Sequence, residues 1–498
     1  MLKVLLTIGF LQLLTMLAML VRTKALALLL GPEQVGIMAV IDKLLAVICQ
    51  TISLSLPFAA VRFLPELWGR DREGFAVLFR RMRNLLLLLA LLAAGAGVVV
   101  TAGFPGVLGE QLLPYRRVVL VAFLGVPVLT LAPFLTNAIA GRLEQNRSMV
   151  FALGHAVVLT VTGVVGVLWS GLLGAYLLYA LAGFALVAVV SRHVVGVPPG
   201  SEAESHARPP AAEPWLPLGL PARIWRFSLI LFGLTFIAPY GSWYVHYGVL
   251  RHFGAETAGW MQAAMGVSLA VRALLGSAHA VFLTPQVNRG GTREERMLWT
   301  NEFHKTLCLL VGVLVPPLLL FPHLAIRLLY SKAFLPGASY VALFVITETL
   351  TLLAGTYQAL VVAFDRLGYH VVNNVLAQLL LLGVAAALIP SNGVAAAGIA
   401  NLSAPLFMFA ATTIFLWWRY GLKLPLVNGL LSAFLIAGLA TTGFVGASHP
   451  EYGWGTLAAK LGLYAVMLGA LTLFLTPADR TRLGHLYRDL RGLLRAAQ

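Results

Sequence analysis

The sequence predicts an all-α polytopic membrane protein of about fourteen transmembrane helices, arranged as two six-helix repeats around a central cavity, with two extra C-terminal helices. Of the 498 residues, 59% are hydrophobic and only 11% are charged, whereas soluble proteins carry about 25% charged residues. Apolar runs of about 20 residues, the length that crosses a bilayer, recur along the chain, and polar turn motifs repeat between its two halves. The composition excludes a soluble enzyme, a disordered chain and a nucleic-acid-binding domain.

Charged residues, glycines and prolines bound the apolar runs and set the predicted limits of the spans. The first run is interpreted as a retained span rather than a cleaved signal peptide, because Arg22 and Lys24 interrupt its apolar core. The predicted spans are residues 4–30, 34–61, 84–103, 118–140, 149–169, 173–191, 224–247, 257–284, 304–322, 338–362, 372–390, 394–417, 426–446 and 456–476.

The basic residues predict the orientation of these spans. Of the 35 Lys and Arg residues, 25 fall in segments or at span ends on the side of the N-terminus, five on the opposite side and five deeper within spans. Because cytoplasmic loops carry an excess of Lys and Arg, both termini are predicted to be cytoplasmic. The net charge of +16 then needs no nucleic-acid partner. Cys49 and Cys308 lie in apolar runs and predict neither a disulfide nor a metal site.

The two halves of the chain resemble each other. Residues 30–36 (LGPEQVG) match residues 253–259 (FGAETAG) at an offset of 223. In both, glycine permits a tight turn after one helix, and the acid lies near the positive end of the next helix dipole. The turn residues are Gly31, Glu33, Gly36, Gly254, Glu256 and Gly259. Two shorter matches recur at an offset of 221: Asn137-Ala138 with Gln358-Ala359, and Ser170 with Ser391.

This duplication predicts the domain organisation. Six spans per repeat is an even number, so both repeats enter the membrane in the same sense, and parallel repeats of transporters hold substrate between them. The pattern therefore favours an alternating-access transporter. The predicted domains are an N-terminal repeat (1–195), a Pro-rich cytoplasmic linker (196–223), a C-terminal repeat (224–420), two additional helices (421–476) and a basic cytoplasmic tail (477–498).

Three stretches near the N-terminus carry a family resemblance: Arg22-Thr23-Lys24, residues 30–36 (LGPEQVG) and residues 60–66 (AVRFLPE). Their order resembles polysaccharide-biosynthesis flippases of the O-antigen type, in which an arginine-bearing first helix leads into a Leu-Gly-Pro-Glu-x-x-Gly turn. These flippases belong to the superfamily that includes multidrug and toxic compound extrusion transporters and the lipid II flippase. The chain departs from the lipid II flippase in the turn after its first span.

The resemblance implies that the protein moves a polyprenyl-diphosphate-linked oligosaccharide from the inner to the outer leaflet of a bacterial cytoplasmic (inner) membrane. Its implied partners are this lipid-linked cargo, membrane lipids, and polysaccharide polymerase or export components. The multidrug or organic-cation exporter on the same fold, the lipid II flippase and a scaffold of an export complex remain alternatives. An enzyme is disfavoured, because the Walker, HExxH and GxSxG motifs are absent from the sequence.

Basic residues inside the spans are candidates for cargo binding, because a charge at the membrane centre costs at least ~2.5–3.5 kcal/mol. Arg22, Lys43 and Arg272 are predicted to bind the anionic diphosphate through charge-assisted hydrogen bonds. Lys24 is a further cation of the same set. It lies about 200° around the helix from Arg22, so we expect it to extend outward to the interface.

Two acids and two prolines complete the set of predicted site residues. Asp42 and Glu348 either pair with these cations or bind a coupling proton or sodium ion, and no other cofactor is expected. The six basic and acidic candidates favour an anionic cargo, since the basic ones outnumber the acidic ones. Pro57 and Pro239 interrupt spans and are predicted hinges.

Overall fold

The computed structural model describes residues 2–68, 70–142, 144–195, 219–278, 283, 287, 291–449 and 453–476, with side chains from residue 10 onward except at residues 195, 234, 274, 277 and 278. Within these ranges the chain forms helices joined by short turns, and no strand. Most of the predicted linker (196–223) and all of the tail (477–498) lie outside them. The α-helices are α1 (Leu2–Ser53), α2 (Leu56–Trp68), α3 (Arg72–Gly103), α4 (Gly109–Leu112), α5 (Arg116–Ala122), α6 (Val126–Gly141), α7 (Gln145–Val195), α8 (Ala222–Ala278), α9 (Arg293–Leu314), α10 (Pro316–Leu320), α11 (Pro322–Leu329), α12 (Val341–Ala363), α13 (Leu367–Tyr420), α14 (Leu426–Ser448) and α15 (Trp454–Leu471).

Ten stretches of the described residues are long and apolar enough to cross a membrane. Four of them are 44 to 54 residues long, about twice the length that a single crossing needs. Each of these four contains a break with non-helical backbone, at Gly31, Gly171, Gly254 or Gly393. Counted as two crossings each, they bring the total to the predicted fourteen. The chain is a multi-pass membrane protein.

The backbone at these breaks repeats between the halves. Gly31 has φ 69° and ψ 178°, and Gly254, 223 residues later, has φ 86° and ψ 172°, a conformation that is essentially restricted to glycine. Gly171 (φ 61°, ψ −146°) and Gly393 (φ 55°, ψ −126°) form a second pair. The recurrence of both pairs agrees with the predicted duplication.

The chain divides into two compact units. The first unit comprises residues 1–266, 326–337 and 366–404. Within it α1 packs along α7, and α6 packs against α2, α3 and α7. Its core includes the rings of Phe75, Phe79 and Phe134, which are stacked in series with centroids 6.4 and 5.4 Å apart. The packing of α1 along α7 fixes the position of α1, which carries four of the six charged site residues that the sequence predicts within the spans.

The second unit comprises residues 267–325, 338–365 and 405–498. Within it α14 packs against α9, α10 and α12. The approach of α14 to α10 is close enough that a Cβ on Gly446 would overlap the main chain of Leu319. The boundaries of these units differ from those of the repeats and linker predicted from the sequence, which stay predictions.

The two prolines that are predicted as hinges lie in different backbone environments. The second span breaks just before Pro57, where Leu54 and Ser55 have φ of 47° and 59°. The Ser55 hydroxyl lies 2.8 Å from the Thr235 hydroxyl of α8. Pro239 lies inside α8, whose non-helical residue is Gly254 instead. A backbone break thus accompanies Pro57 and not Pro239, and hinge motion at either residue stays a prediction.

Candidate functional site

Helix α1 brings the first group of predicted site residues to one depth. Arg22 precedes the break at Gly31 by nine residues, and Asp42 follows it by eleven. At 1.5 Å per residue, both lie roughly 14 to 17 Å from the turn. Because the two segments of α1 lie on either side of this turn, their side chains can reach the same cavities.

The first of these cavities has a volume of about 200 Å³ and lies among α1, α5, α6 and α7. We call it the α1–α7 cavity. Asp42 lies in it and accepts a hydrogen bond of 2.7 Å from the Tyr176 hydroxyl. Arg22 also lines it, and the Arg22 Nε atom is buried with no hydrogen-bond partner among the described residues. Most of the remaining wall is apolar, for example Leu26 and Leu129.

The second cavity has a volume of about 220 Å³ and lies against α1 and α8. We call it the α1–α8 cavity. Arg22 and Asp42 line this cavity as well, and Lys43, Gln262 and Tyr330 join them. Two cations and one carboxylate therefore border a single space within the membrane. The structure brings together three of the predicted site residues here, and their charges sum to an excess of one positive charge.

Lys24 bonds to main-chain atoms in residues 323–337, a segment that the sequence predicts on the outer side, so its expected extension outward to the interface stays a prediction. Its Nζ atom donates hydrogen bonds to the main-chain oxygens of Arg327 (2.8 Å) and Tyr330. These oxygens lie at the C-terminal end of α11, where carbonyl groups lack helical partners and a cation is favoured by the helix dipole. The contacts give Lys24 a capping role, and cargo binding by Lys24 stays a prediction.

Arg272 and Glu348 form an ion pair within the second unit, with Nη1 and Oε2 3.5 Å apart. The Arg272 side chain is 54% exposed and the Glu348 side chain 14% exposed. The structure thus realises the internal ion pair that the sequence left open for these two residues. Binding of cargo or of a coupling ion by either residue remains a prediction.

The turn motifs of the two repeats contact each other within the first unit. A Cβ on Gly36 would lie 2.7 Å from the Gly259 nitrogen and would overlap the Ala255 carbonyl. Reciprocally, a Cβ on Gly259 would overlap the main chain of Pro32. Pro32 and Ala255 are equivalent positions of the motifs, so the contact has approximate two-fold symmetry. The last glycine of each motif is therefore required for close helix approach, a role that the sequence interpretation missed.

Glu33, the acid of the first turn, accepts a hydrogen bond of 3.1 Å from the Tyr115 hydroxyl. Sequence reasoning also missed Tyr176 and Tyr330, because a tyrosine in an apolar span carries no signal of its neighbours. The glycine contact did have a signal, since Gly36 and Gly259 end both copies of the motif. Among the described residues, no group of three or more His, Cys, Asp and Glu side chains is placed to hold a metal ion.

The fold of this chain also occurs in solved structures of membrane proteins, although its sequence has diverged far from theirs. No protein-family model matches the sequence, and no curated protein matches it. A structure of the lipid II flippase MurJ in an inward closed conformation is similar to the chain with a TM-score of 0.66 and 13% identity, over 98% of this chain and 100% of that one.

Two transporter structures are also similar. An outward-facing multidrug resistance MATE family transporter of the MOP superfamily has a TM-score of 0.56 and 13% identity, over 86% of this chain and 96% of that one. The MATE multidrug transporter DinF-BH has a TM-score of 0.54 and 16% identity, over 84% and 96%. At these identities the likeness is one of fold. The chain therefore has the fold shared by MATE transporters of the MOP superfamily and the lipid II flippase MurJ.

Proposed function

We propose that the protein is an alternating-access flippase that moves a polyprenyl-diphosphate-linked oligosaccharide from the inner to the outer leaflet of a bacterial cytoplasmic membrane, with both termini in the cytoplasm. The observation that carries the proposal is the position of Arg22, whose guanidinium borders two cavities with a buried Nε atom that has no described hydrogen-bond partner. Lys43 lines one of the two cavities with it.

A diphosphate in transit supplies what Arg22 lacks. An arginine fork can bind two phosphate oxygens at once, and the attraction is strongest where water is excluded. The excess positive charge of the α1–α8 cavity would offset part of the cost of drawing the anionic head group through the membrane. Polysaccharide polymerase or export components remain proposed partners.

Asp42 is the proposed binding site of a coupling ion. It lies in the largely apolar α1–α7 cavity and shares a hydrogen bond with Tyr176, so a bound proton or sodium ion would neutralise a carboxylate in low-dielectric surroundings. Because Arg22 lines the same cavity, occupancy of Asp42 would change the charge beside the proposed cargo site. That shared position supports coupling between ion and cargo.

A carboxylate in an apolar cavity also favours a second candidate, the export of an organic cation. The similar DinF-BH is a multidrug transporter, and the similar MurJ is a lipid II flippase. Lipid II presents the same anionic chemistry to Arg22 as the proposed cargo. A drug cation instead requires Asp42 and gains nothing from Arg22.

Transport by the purified full chain in vesicles distinguishes these candidates. Arg22→Gln should lower flipping of a polyprenyl-diphosphate oligosaccharide by about ten- to 150-fold, since a hydrogen bond to a charged group contributes about 1.5–3 kcal/mol. Arg117→Gln is the matched control, because Arg117 lies on the predicted outer side, away from both cavities. Flipping should proceed without ATP.

The same vesicles are assayed with lipid II and with a cationic dye. Two results together would overturn the proposal in favour of the exporter. They are transport of the dye that is faster than flipping of the oligosaccharide lipid, and undiminished flipping of that lipid by Arg22→Gln. If Arg22→Gln loses transport of lipid II and of neither other substrate, the cargo is assigned to lipid II. Strict dependence on ATP would contradict the proposed mechanism.

A further inference from the structure

A second basic site lies in the first unit, away from Arg22. It is a groove of about 770 Å³ formed by the end of α6 and by both ends of α7, and we call it the α6–α7 groove. Because α7 breaks at Gly171, its first residues and its last residues come to the same end of the unit. Positive-inside bias predicts this end to be cytoplasmic.

Arg142 forms the floor of the groove and is only 6% exposed. Its guanidinium carbon lies 4.3 Å from the centre of the Trp68 ring, and its Nη1 donates to the Val194 oxygen at 3.2 Å. Its Nη2 donates to Glu144 at 3.1 Å, while its Nε is buried without a hydrogen-bond partner among the described residues. Burial lowers the pKa of Arg142, and the Glu144 carboxylate opposes that effect. The floor is thus a largely buried cation whose Nε atom has no hydrogen-bond partner among the described residues.

The rim adds further positive charge. Arg147 is 74% exposed, and Arg192 and His193 are exposed on the opposite side of the groove. Among the described residues, Glu144 is the only acid that lines the groove, and it already bonds Arg142 and Arg147 at 3.1 and 3.2 Å. Three arginines against one carboxylate leave an excess of two positive charges at the rim and floor.

An apolar wall continues from this basic end. Val150, Leu186 and Val190 line it, and Val150 is 56% exposed. Gly154 lies in the same wall, where an added Cβ would meet no atom within 4 Å. An anion-binding end joined to an open apolar strip matches a molecule with a charged head and a hydrocarbon chain. A soluble anion would have no use for the strip.

We propose that the α6–α7 groove binds an anionic glycerophospholipid, with the headgroup phosphate at Arg142, Arg147 and Arg192 and one acyl chain along the strip at Gly154. Basic pockets between helices at the cytoplasmic surface suit such headgroups. The exposed rim residues Arg147 and Arg192 supply the hydrogen-bond donors, and the buried Arg142 adds positive charge from the floor. The open space at Gly154 accommodates the chain. This site is separate from the proposed cargo cavities and does not depend on which cargo is carried.

Native mass spectrometry of the full chain, released from nanodiscs of phosphatidylcholine and phosphatidylglycerol, tests the proposal. The wild type should retain phosphatidylglycerol selectively. Arg147→Gln combined with Arg192→Gln should weaken its retention by about 30-fold, since each basic residue near an anionic surface contributes about 1 kcal/mol, or about fivefold. Gly154→Leu, which changes no charge, should also lower retention by filling the strip.

Two matched controls keep the result specific. Arg62→Gln with Arg70→Gln removes two exposed arginines from the same predicted side outside the groove, and Gly95→Leu fills open space beside another span. Both should retain phosphatidylglycerol as the wild type does. The proposal would be overturned by an equal loss of phosphatidylglycerol in the controls or by unchanged retention in both groove variants. It would also be overturned if inorganic phosphate displaced phosphatidylglycerol completely.

Discussion

Replacing Gly36 by alanine should separate the two turn motifs. The added methyl group would lie 2.7 Å from the Gly259 nitrogen, about 0.8 Å inside the closest favourable separation of nonbonded atoms. The overlapped atoms belong to the main chain, so no side-chain rotation relieves the clash and one helix must move. Overpacking of this kind costs about 1–3 kcal/mol. Both turns are predicted to lie on the outer side, so we expect that opening this side in an alternating-access cycle separates them. The ratio of molecules with the turns in contact to molecules with the turns apart should then fall about 5- to 150-fold.

Cysteine labelling measures this shift. Ala258 is fully buried beside the contact, and the two native cysteines are also buried. In an Ala258→Cys background, Gly36→Ala should raise the rate of modification by a membrane-impermeant maleimide, and Gly259→Ala should do the same. Gly95→Ala is the control, because its Cβ meets no atom within 4 Å. Equal labelling rates in all three glycine variants would refute the close contact as a determinant of closure.

Three further substitutions test contacts around the candidate site. Lys24→Met removes the cap on α11 and should lower the free energy of unfolding by about 1.5–3 kcal/mol. The loss is measured as a lower thermal unfolding midpoint in detergent, and an unchanged midpoint would exclude the capping role. Tyr176→Phe leaves Asp42 without this donor and should destabilise the chain by about 1–3 kcal/mol, which a denaturation curve measures. Glu348→Gln should change stability by less than about 1 kcal/mol, because its partner Arg272 is 54% exposed. The substitution should also increase affinity for the diphosphate lipid, because it releases Arg272 from the ion pair. Weaker binding would contradict a cargo role for Arg272.

Each of these variants has a counterpart elsewhere in the chain. Lys332→Met removes an exposed lysine, and Tyr244→Phe removes a half-buried hydroxyl on α8. Glu256→Gln neutralises an exposed acid of the second turn. Stability losses equal to those of the test variants would attribute the effects to general loss of charge or hydroxyl groups.

The membrane fold was predictable because it follows from composition and spacing. The length of the apolar runs gives the number of crossings. In the structure, four of the ten apolar stretches are each divided in two at a glycine, which gives the same fourteen crossings. Two of those glycines, Gly31 and Gly254, stand in the repeated motif, so even the position of the turn could be predicted. The sequence also shows that Gly36 and Gly259 recur at the end of both motifs, but it does not show that they pack against each other, because that requires knowing that the two turns meet in space.

The candidate site was predictable in its charges and not in its partners. The cost of burying a charge singles out Arg22, Asp42 and Lys43 from the sequence alone, and the structure places all three at one cavity. The position of Lys24 depends on carbonyl groups more than 300 residues away. Helical periodicity gives the direction of a side chain and says nothing about which helix end lies there.

The repeats share their turns and differ in their chemistry. At the offset of 223 residues, the positions equivalent to Arg22, Asp42 and Lys43 are Val245, Met265 and Gly266. Gly266 is a glycine for a steric reason, because a Cβ there would overlap the Tyr330 hydroxyl, and Tyr330 itself lines the α1–α8 cavity.

A symmetric protein would bury a second set of the same charges, at a cost of at least ~2.5–3.5 kcal/mol for each one. The second repeat avoids that cost, because it keeps the turn motif but has Val245, Met265 and Gly266 in place of the charged residues. The duplicated backbone thus provides the symmetric contact between turns, and one copy alone provides the charged cavity. Introducing a cation at Val245 should therefore destabilise the fold without adding transport, whereas neutralising Arg22 should impair transport.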